Sequence, residues 1–279
     1  MVILAALIGA VVGSFLNVVI DRVPRRQSLL RPGSHCPSCG RALGARDLVP
    51  LLSYIALGGK CRTCHASIPR RVPAVEAATA ALFALLWGAG AAESGNGMPA
   101  SPKDALWLAV ATVYSCVMVI LFVIDLEHRR VPNLIVLPAI ALALTMAPAL
   151  AWLAPRYAHH GLLEMVAPSL SVAASSLVGQ IAGGVTAFAI FWGIWRVAPQ
   201  GMGAGDVKLA GFAGLIAGFP CALAAVFGSF VLGGVVGAGL LLTGRAGRKT
   251  AIPFAPFLIV TTFVVMVCGD ALLAWYLGR

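Results

Sequence analysis

Two aspartates are the residues of this sequence whose type and setting best fit chemistry. Asp125 follows a long apolar run, and Asp206 ends the glycine-rich segment Gly201–Asp206. Two carboxylic acids held close together cannot both ionise readily, so one keeps a proton while the other is charged. The charged member can take a proton from water while the neutral member donates to a carbonyl oxygen. Such a pair would hydrolyse a peptide bond with neither a metal nor a covalent intermediate.

Four of the seven cysteines form a second group with chemical potential. They make two pairs of the form Cys-x-x-Cys, and the members are Cys36, Cys39, Cys61 and Cys64. Each pair can place two sulfurs on one metal, and two pairs complete a tetrahedral zinc site. A redox pair or incidental thiols is the alternative interpretation. The flanking histidines, His35 and His65, are not included among the predicted ligands.

The elements that must position these residues are membrane-spanning helices. The chain is 60% hydrophobic and 11% charged, with a mean hydropathy of +0.94, and its apolar residues form runs of about 20 residues, the length that a bilayer requires. We predict an all-α polytopic membrane protein of about eight transmembrane helices, at roughly 2–20, 74–92, 105–125, 132–153, 170–195, 207–219, 221–243 and 252–276. The first is interpreted as a retained span, because Asp21 and Arg22 stand where a signal cleavage site would need small residues.

The basic residues set the expected orientation. With the N-terminus outside, 17 of the 20 Lys and Arg residues fall on one side of the membrane, and Lys103, Arg156 and Arg279 fall on the other. This bias predicts that the side with 17 is cytoplasmic. It accounts for the net charge of +10 without nucleic-acid binding, and attraction to membrane lipid is a secondary consequence.

The same orientation puts both aspartates at the cytoplasmic edge of the membrane. Acids at membrane depth are costly and usually functional. A single interfacial aspartate would more often balance a nearby base such as Arg129 or Lys208, but two at one face favour a catalytic pair. The predicted domains are a first transmembrane helix (1–20), a cytoplasmic tetracysteine loop (21–73) that zinc helps to fold, and a transmembrane aspartic peptidase core (74–279).

Several segments together resemble the type IV prepilin leader peptidase and N-methyltransferase family, whose peptidases carry a Gly-x-Gly-Asp motif. The resemblance extends over nearly the whole chain, in Gly13–Pro24, the two cysteine pairs, Pro50–Tyr54, Val75–Glu76, Asp125, Gly203–Asp206 and Ile252–Phe257. It implies that Asp125 and Asp206 are catalytic. It also implies cleavage of prepilin and pseudopilin leaders at the cytoplasmic face of the bacterial inner membrane, for type IV pilus or type II secretion systems. N-methylation of the new N-terminal residue from S-adenosylmethionine would follow.

Three positions depart from the family pattern as we compare it: Leu48, Val72 and Ala255. None of them is an aspartate or a cysteine, and the sequence assigns no residues to a methyl-donor site. The alternatives are a membrane protease of this type that only cleaves and, from another class, a membrane redox or metal protein built on the cysteines. A proton-coupled transporter would need its acids at the bilayer midplane, whereas these lie at the edge.

Overall fold

The computed structural model describes residues 1–94, 102–153, 171–245, 247, 250 and 252–276. Within these ranges the chain is helical and contains no β-strand, so the predicted all-α fold is confirmed. The helices are α1 (Val2–Arg22), α2 (Leu52–Ala56), α3 (Arg71–Ser94), α4 (Pro102–His128), α5 (Asn133–Leu153), α6 (Val172–Val197), α7 (Ala204–Ala217), α8 (Cys221–Leu242) and α9 (Ala255–Tyr276). Of the charges used to predict orientation, Arg156, Arg248, Lys249 and Arg279 lie outside the described residues.

Each of the eight predicted spans coincides with one of these helices. Six of them, namely α1, α3, α4, α5, α6 and α8, are long and apolar enough to cross a membrane. Helix α7 has only 14 residues, which is about 21 Å at 1.5 Å per residue and shorter than a bilayer core. Most of its residues are buried, so neighbouring helices and not lipid surround it.

The residues divide into two compact units. The first comprises Met1–Pro102 with Thr112–Ile120, and the second comprises Lys103–Ala111 with Leu121–Arg279. In the first unit α1 packs closely on α3 through glycines. A Cβ atom on Gly13 would lie 2.8 Å from the Cα atom of Glu76. Small residues allow such close backbone approach between membrane helices.

In the second unit α6 and α7 are packed in the same way. A Cβ atom on Gly214 would lie 2.3 Å from the carbonyl oxygen of Gly183, so only glycine fits there. The chain then turns back at Gly218, which has a φ of +65°, and the Phe219 N–H donates to the Gly179 carbonyl oxygen at 2.7 Å. These contacts fix the C-terminal end of α7 against α6, and Asp206 lies at the opposite, N-terminal end of α7.

Candidate active site

Asp125 lies in the last turn of α4 and is 4% exposed. The helix runs to His128, three residues beyond the predicted end of the span, so Asp125 is within the helix and not at its terminus. Arg129 then adopts a φ of +50°, and its N–H bonds to the Asp125 carbonyl oxygen at 2.8 Å. The left-handed conformation of Arg129 therefore ends the helix four residues after Asp125.

The Asp125 carboxylate accepts a hydrogen bond from the backbone N–H of Ala255, the first residue of α9. Its buried oxygen Oδ2 has no hydrogen-bond partner among the described residues. Buried polar atoms are almost always satisfied by protein or water, and the exceptions call for an explanation. Asp125 Oδ2 is therefore a buried acceptor to which none of the described residues donates.

Asp206 occupies the third position of α7, and Gly203 is the residue that caps this helix. The Gly203 N–H donates to Asp206 Oδ2 at 3.1 Å, and the Asp206 N–H bonds back to the Gly203 carbonyl oxygen at 3.0 Å. The bond from the Gly203 N–H to the Asp206 side chain is one half of a capping box, and the other half needs a side chain that glycine lacks. This bond fixes the direction of the carboxylate at the positive end of the helix.

The tertiary structure brings the two predicted aspartates together. The Asp206 charge acts directly on the Asp125 carboxyl group, although 81 positions separate the two residues along the chain. Both belong to the second unit. Two carboxyl groups near enough for their charges to interact are the arrangement that an acid–base pair requires.

The N-terminal turn of α7 is pressed against the link between α4 and α5. A Cβ atom on Gly205 would lie 2.8 Å from the Val131 Cβ atom, so this position requires glycine. Next to it, Lys208 Nζ donates to Asn133 Oδ1 at 2.8 Å. Lys208 is thus held by a side chain of α5, which the sequence did not indicate. Val131 and Asn133 flank Pro132, six to eight positions after Asp125. This short distance along the chain was the sequence signal that could have placed both residues near the site.

The four predicted cysteine ligands lie together in the first unit. Their sulfur atoms all fall within 4.8 Å of one another, and Cys36 Sγ is 3.7 Å from Cys64 Sγ. Zinc–sulfur bonds of about 2.3 Å in a tetrahedron would separate the sulfurs by roughly 3.8 Å. The donor set and its spacing therefore fit a tetrahedral metal ion such as zinc.

The two cysteine pairs have the same backbone geometry. The Gly40 N–H bonds to the Cys36 carbonyl oxygen at 2.9 Å, and the His65 N–H bonds to the Cys61 carbonyl oxygen at 3.0 Å. Gly40 and His65 each follow a pair and have φ of +70° and +55°. Neither His65 nor the other flanking histidine belongs to the metal-binding group within the described residues.

Backbone donors favour the thiolate form of the leading cysteine in each pair. The N–H groups of Cys39 and Ser38 point at the Cys36 sulfur and lower the pKa of Cys36 to about 6. The corresponding backbone N–H groups of the second pair lower the pKa of Cys61. Burial and the neighbouring sulfur atoms instead raise the pKa of Cys64 to about 11, so the loop favours the thiolate, the form that binds metal, at the leading cysteines and not at all four.

Asp47, which the sequence did not indicate, links the two cysteine pairs through ion pairs. Asp47 forms ion pairs with Arg41, just after the first pair, and with Arg62 inside the second, where Nε lies 2.8 Å from Oδ1. The Arg62 hydrogen bond is the main cause of the lowered pKa of Asp47, with the Gly44 N–H and Arg41 adding to it. Asp47 therefore stays charged and ties both cysteine turns together.

A second unpredicted contact joins the loop to α3. The Glu76 side chain is buried, and its Oε2 accepts the Leu51 N–H at 2.8 Å. Leu51 has a φ of +60°, an uncommon conformation for a bulky residue, and it is the N-terminal cap of the short helix α2. The two sequence segments that contributed separately to the family resemblance are thus in direct contact.

The fold and the site define a multi-pass membrane protein with an aspartate pair on two helices and a four-cysteine loop. A model of the bacterial peptidase A24 N-terminal domain matches residues 7–89, and a model of the type IV leader peptidase family matches residues 112–238. The first range contains all four predicted cysteine ligands, and the second contains both aspartates.

Curated relatives are similar over nearly the whole chain. A protein of Pseudomonas aeruginosa is 30% identical over 97% of this chain and 91% of its own length, and one of Bacillus subtilis is 31% identical over 96% and 95%. Both are named prepilin leader peptidase/N-methyltransferase. No solved structure matches. The chain belongs to the type IV leader peptidase family, as the resemblance predicted.

Proposed function

We propose that this chain removes the leader peptides of type IV prepilins and pseudopilins with Asp125 and Asp206 and then N-methylates the new N-terminal residue. The observation that carries the peptidase half is the position of these two carboxyl groups on different helices, near enough for the charge of Asp206 to act on Asp125. Family membership and the names of the relatives support the choice of prepilins as substrates.

The proposed mechanism uses one proton shared by the two carboxyl groups. The charged member takes a proton from a bound water molecule, whose oxygen attacks the carbonyl carbon of the scissile peptide bond. The protonated member donates to the carbonyl oxygen, which gives a tetrahedral diol. As the C–N bond breaks, the member that took the water proton passes it to the leaving nitrogen, and the other member takes a proton back from a diol hydroxyl as the new carboxyl group forms. The backbone N–H groups of Ala255 and Gly203 keep the two carboxylates in place during these transfers.

The methyltransferase half rests on the names of the relatives, which imply a methyl donor, and we propose S-adenosylmethionine. The four cysteines, Cys36, Cys39, Cys61 and Cys64, would hold a structural zinc ion. In this proposal residues 1–20 form the first span, 21–73 the cytoplasmic loop and 74–279 the peptidase core. The zinc ion would supply folding energy that a loop with few buried residues lacks.

We also propose that the protein resides in the bacterial inner membrane with the carboxyl pair facing the cytoplasm. The distribution of Lys and Arg supports this orientation. Leader peptides would then be cut before the substrate leaves the cytoplasmic side. Prepilins and pseudopilins are the expected protein partners, and membrane lipid surrounds the apolar helices.

The test uses Asp125→Asn and Asp206→Asn, purified in detergent and mixed with a prepilin and a labelled methyl donor. The rate of leader cleavage by each variant should fall by a factor of about 1,000 or more. A pair made of one aspartate and one asparagine cannot both accept a proton from water and donate one to the substrate. Glu127→Gln is the matched control, since Glu127 is an exposed acid two residues from Asp125. It should cleave at the normal rate.

Membrane insertion and thermal unfolding of all three variants should match the unmodified protein. Near-normal cleavage by a correctly inserted Asp125→Asn or Asp206→Asn protein would overturn the peptidase assignment. Methylation is followed separately with a pre-cleaved substrate, so that the two halves of the proposal are judged independently.

A further inference from the structure

A stretch of the four-cysteine loop, residues 48–59, contains no charged side chain. The loop on either side of it, residues 21–47 and 60–73, holds ten basic and two acidic residues. The stretch includes α2, on which Leu52 is 66% exposed and Ile55 is 72% exposed. Leu48 and Val49, just before α2, are also exposed. Neighbouring apolar side chains exposed to this extent are typical of protein or membrane interaction sites.

The exposed apolar side chains of α2 lie on one side of it. Leu52 and Ile55 are three positions apart, which places them on the same face of a helix. Tyr54 is half-buried, and its carbonyl oxygen accepts the Gly59 N–H at 2.9 Å. The Gly59 carbonyl oxygen accepts the Ile68 N–H at 2.8 Å, beyond the second cysteine pair. Helix α2 is therefore fastened to the loop on its inner side, and Leu52 and Ile55 form an outward apolar face.

A contact with α3 fixes the level of this apolar face relative to the membrane. The Leu51 N–H, at the start of α2, donates to Glu76 Oε2 at 2.8 Å. Glu76 is the sixth residue of α3, about 7.5 Å along the helix from its first residue at 1.5 Å per residue. Its side chain tilts back toward the N-terminus of α3, as side chains on a helix do.

Helix α3 is one of the membrane-spanning helices, and its apolar span covers the 19 residues Arg71–Ala89. A span of this length is about as long as the hydrocarbon core of a bilayer is thick, so its first turns lie where the lipid headgroups meet the hydrocarbon. Leu51 is bonded to those turns. The apolar face of α2 therefore starts at the membrane boundary and not out in the water.

Exposed bases stand at the two ends of the uncharged stretch, Arg46 before it and Lys60 after it. Segments that lie in the plane of a membrane surface combine an apolar face with Lys and Arg, and the apolar face sinks about 5–10 Å into the boundary between headgroups and acyl chains. Bases at this level attract anionic phospholipids. Lipid surrounds α3 at the same level, so covering the apolar face requires no further partner.

We propose that the apolar face of α2 is a lipid-binding surface. Leu52 and Ile55 contact the upper part of phospholipid acyl chains, while Arg46 and Lys60 contact anionic headgroups. The four-cysteine loop is thereby held against the membrane surface at a second place, besides the spans from which it emerges. This inference adds a binding surface to the proposed function and does not depend on either enzymatic activity.

The test is photochemical labelling of the full chain in lipid nanodiscs. The probe is a phospholipid that carries a diazirine near the top of one acyl chain, and the adducts are mapped by mass spectrometry. In the unmodified protein, adducts should form on Leu52 and Ile55 as well as on α3, which serves as the internal standard. The polar turn at residues 62–65 should stay unlabelled, because an acyl-chain probe does not reach the water phase.

The double variant Leu52→Ser, Ile55→Ser should lower labelling of residues 48–59, relative to α3, by about fivefold or more, since it removes most of the apolar area of the face. The matched control is the exchange Leu52→Ile, Ile55→Leu, which keeps that area and should label normally. Thermal unfolding of both variants should match that of the unmodified protein. Raising the share of anionic phospholipid at constant total lipid should increase labelling of residues 48–59.

Three results would overturn the proposal. The first is labelling of residues 48–59 in the unmodified protein no stronger than that of residues 62–65, which needs no variant to fold. The second is equal labelling of the serine variant and the exchange control. The third is loss of the adducts when a prepilin is added, which would show that a protein covers the apolar face instead of lipid. Labelling that does not respond to anionic phospholipid would refute the roles of Arg46 and Lys60.

Discussion

The backbone N–H of Ala255 donates a hydrogen bond to the carboxylate of Asp125. This contact joins the first turn of α9 to the last turn of α4, and a helix N-terminus carries a partial positive charge that suits a carboxylate. Ala255 is one of the three positions named above as departures from the family pattern. Because the contact is made by the main chain, the alanine side chain leaves it intact.

Replacing Ala255 with proline removes this donor, and because Ala255 is fully buried the thermal unfolding of the variant is measured beside its activity. The first residue of a helix has no intrahelical use for its N–H, so proline is tolerated there. We expect Ala255→Pro to lower kcat/KM for leader cleavage by about 10- to 100-fold, the equivalent of one hydrogen bond to a charged group. Ala255→Gly, which keeps the N–H, should cleave within about threefold of normal. A folded Ala255→Pro protein with normal kcat/KM would show that the donor is unimportant.

Gly205 should be far less tolerant of alanine than Gly203. A Cβ atom at position 205 would lie 2.8 Å from the Val131 Cβ atom, so α7 would have to move and carry Asp206 with it. At position 203 it would lie 3.4 Å from Asp206 Oδ2, a separation that needs little adjustment. Gly205→Ala should therefore reduce the cleavage rate by about tenfold or more, and Gly203→Ala by less.

A compensating change tests the cause of the Gly205 effect. Val131→Gly removes both the Cβ and the Cγ2 atoms that the new Cβ atom would meet at 2.8 and 3.3 Å, so the double variant Gly205→Ala, Val131→Gly should recover most of the lost cleavage rate. The two single changes should then be strongly non-additive. Additive losses would mean that the crowding at Val131 is not the reason for glycine.

Removing cysteine ligands should release the metal. We expect one zinc ion per chain by elemental analysis, and a large loss of zinc in Cys36→Ser, Cys39→Ser. Cys116→Ser is the control, because Cys116 lies within α4 and far along the chain from the four-cysteine group. Methylation should fall more than cleavage in the double variant, since the loop is separate in sequence from the aspartates. Full zinc occupancy in that variant would refute the ligand set.

Asp47→Asn should loosen the zinc loop without touching a ligand. The change weakens the ion pairs to Arg41 and Arg62, which hold the two cysteine turns together. Partners that orient metal ligands typically contribute about 10- to 100-fold in affinity, so chelator-driven zinc loss should be at least about tenfold faster. Arg46→Gln alters an exposed neighbouring charge and should have no effect. Equal rates of zinc loss in Asp47→Asn and Arg46→Gln would contradict the proposal that Asp47 holds the two cysteine turns together.

Much of the architecture was predictable because its determinants are local. Apolar runs of membrane-spanning length mark helices wherever they occur, and all eight predicted segments are helical. The Cys-x-x-Cys spacing fixes the turn that gathers two sulfurs, so the four-cysteine group was also predictable. The prediction that α7 spans a membrane was less successful, since hydropathy does not distinguish a short helix enclosed by protein from one facing lipid.

The sequence by itself determined the apolar helices and the two cysteine pairs that can share a metal, and it predicted two aspartates at one membrane edge. Only the tertiary structure decided which groups hold those residues: Ala255 for Asp125, Val131 beside Gly205, and Glu76 for the Leu51 N–H. The reason is physical. Hydropathy and spacing act within one segment, whereas these contacts join residues up to 130 positions apart and exist only once the helices have packed.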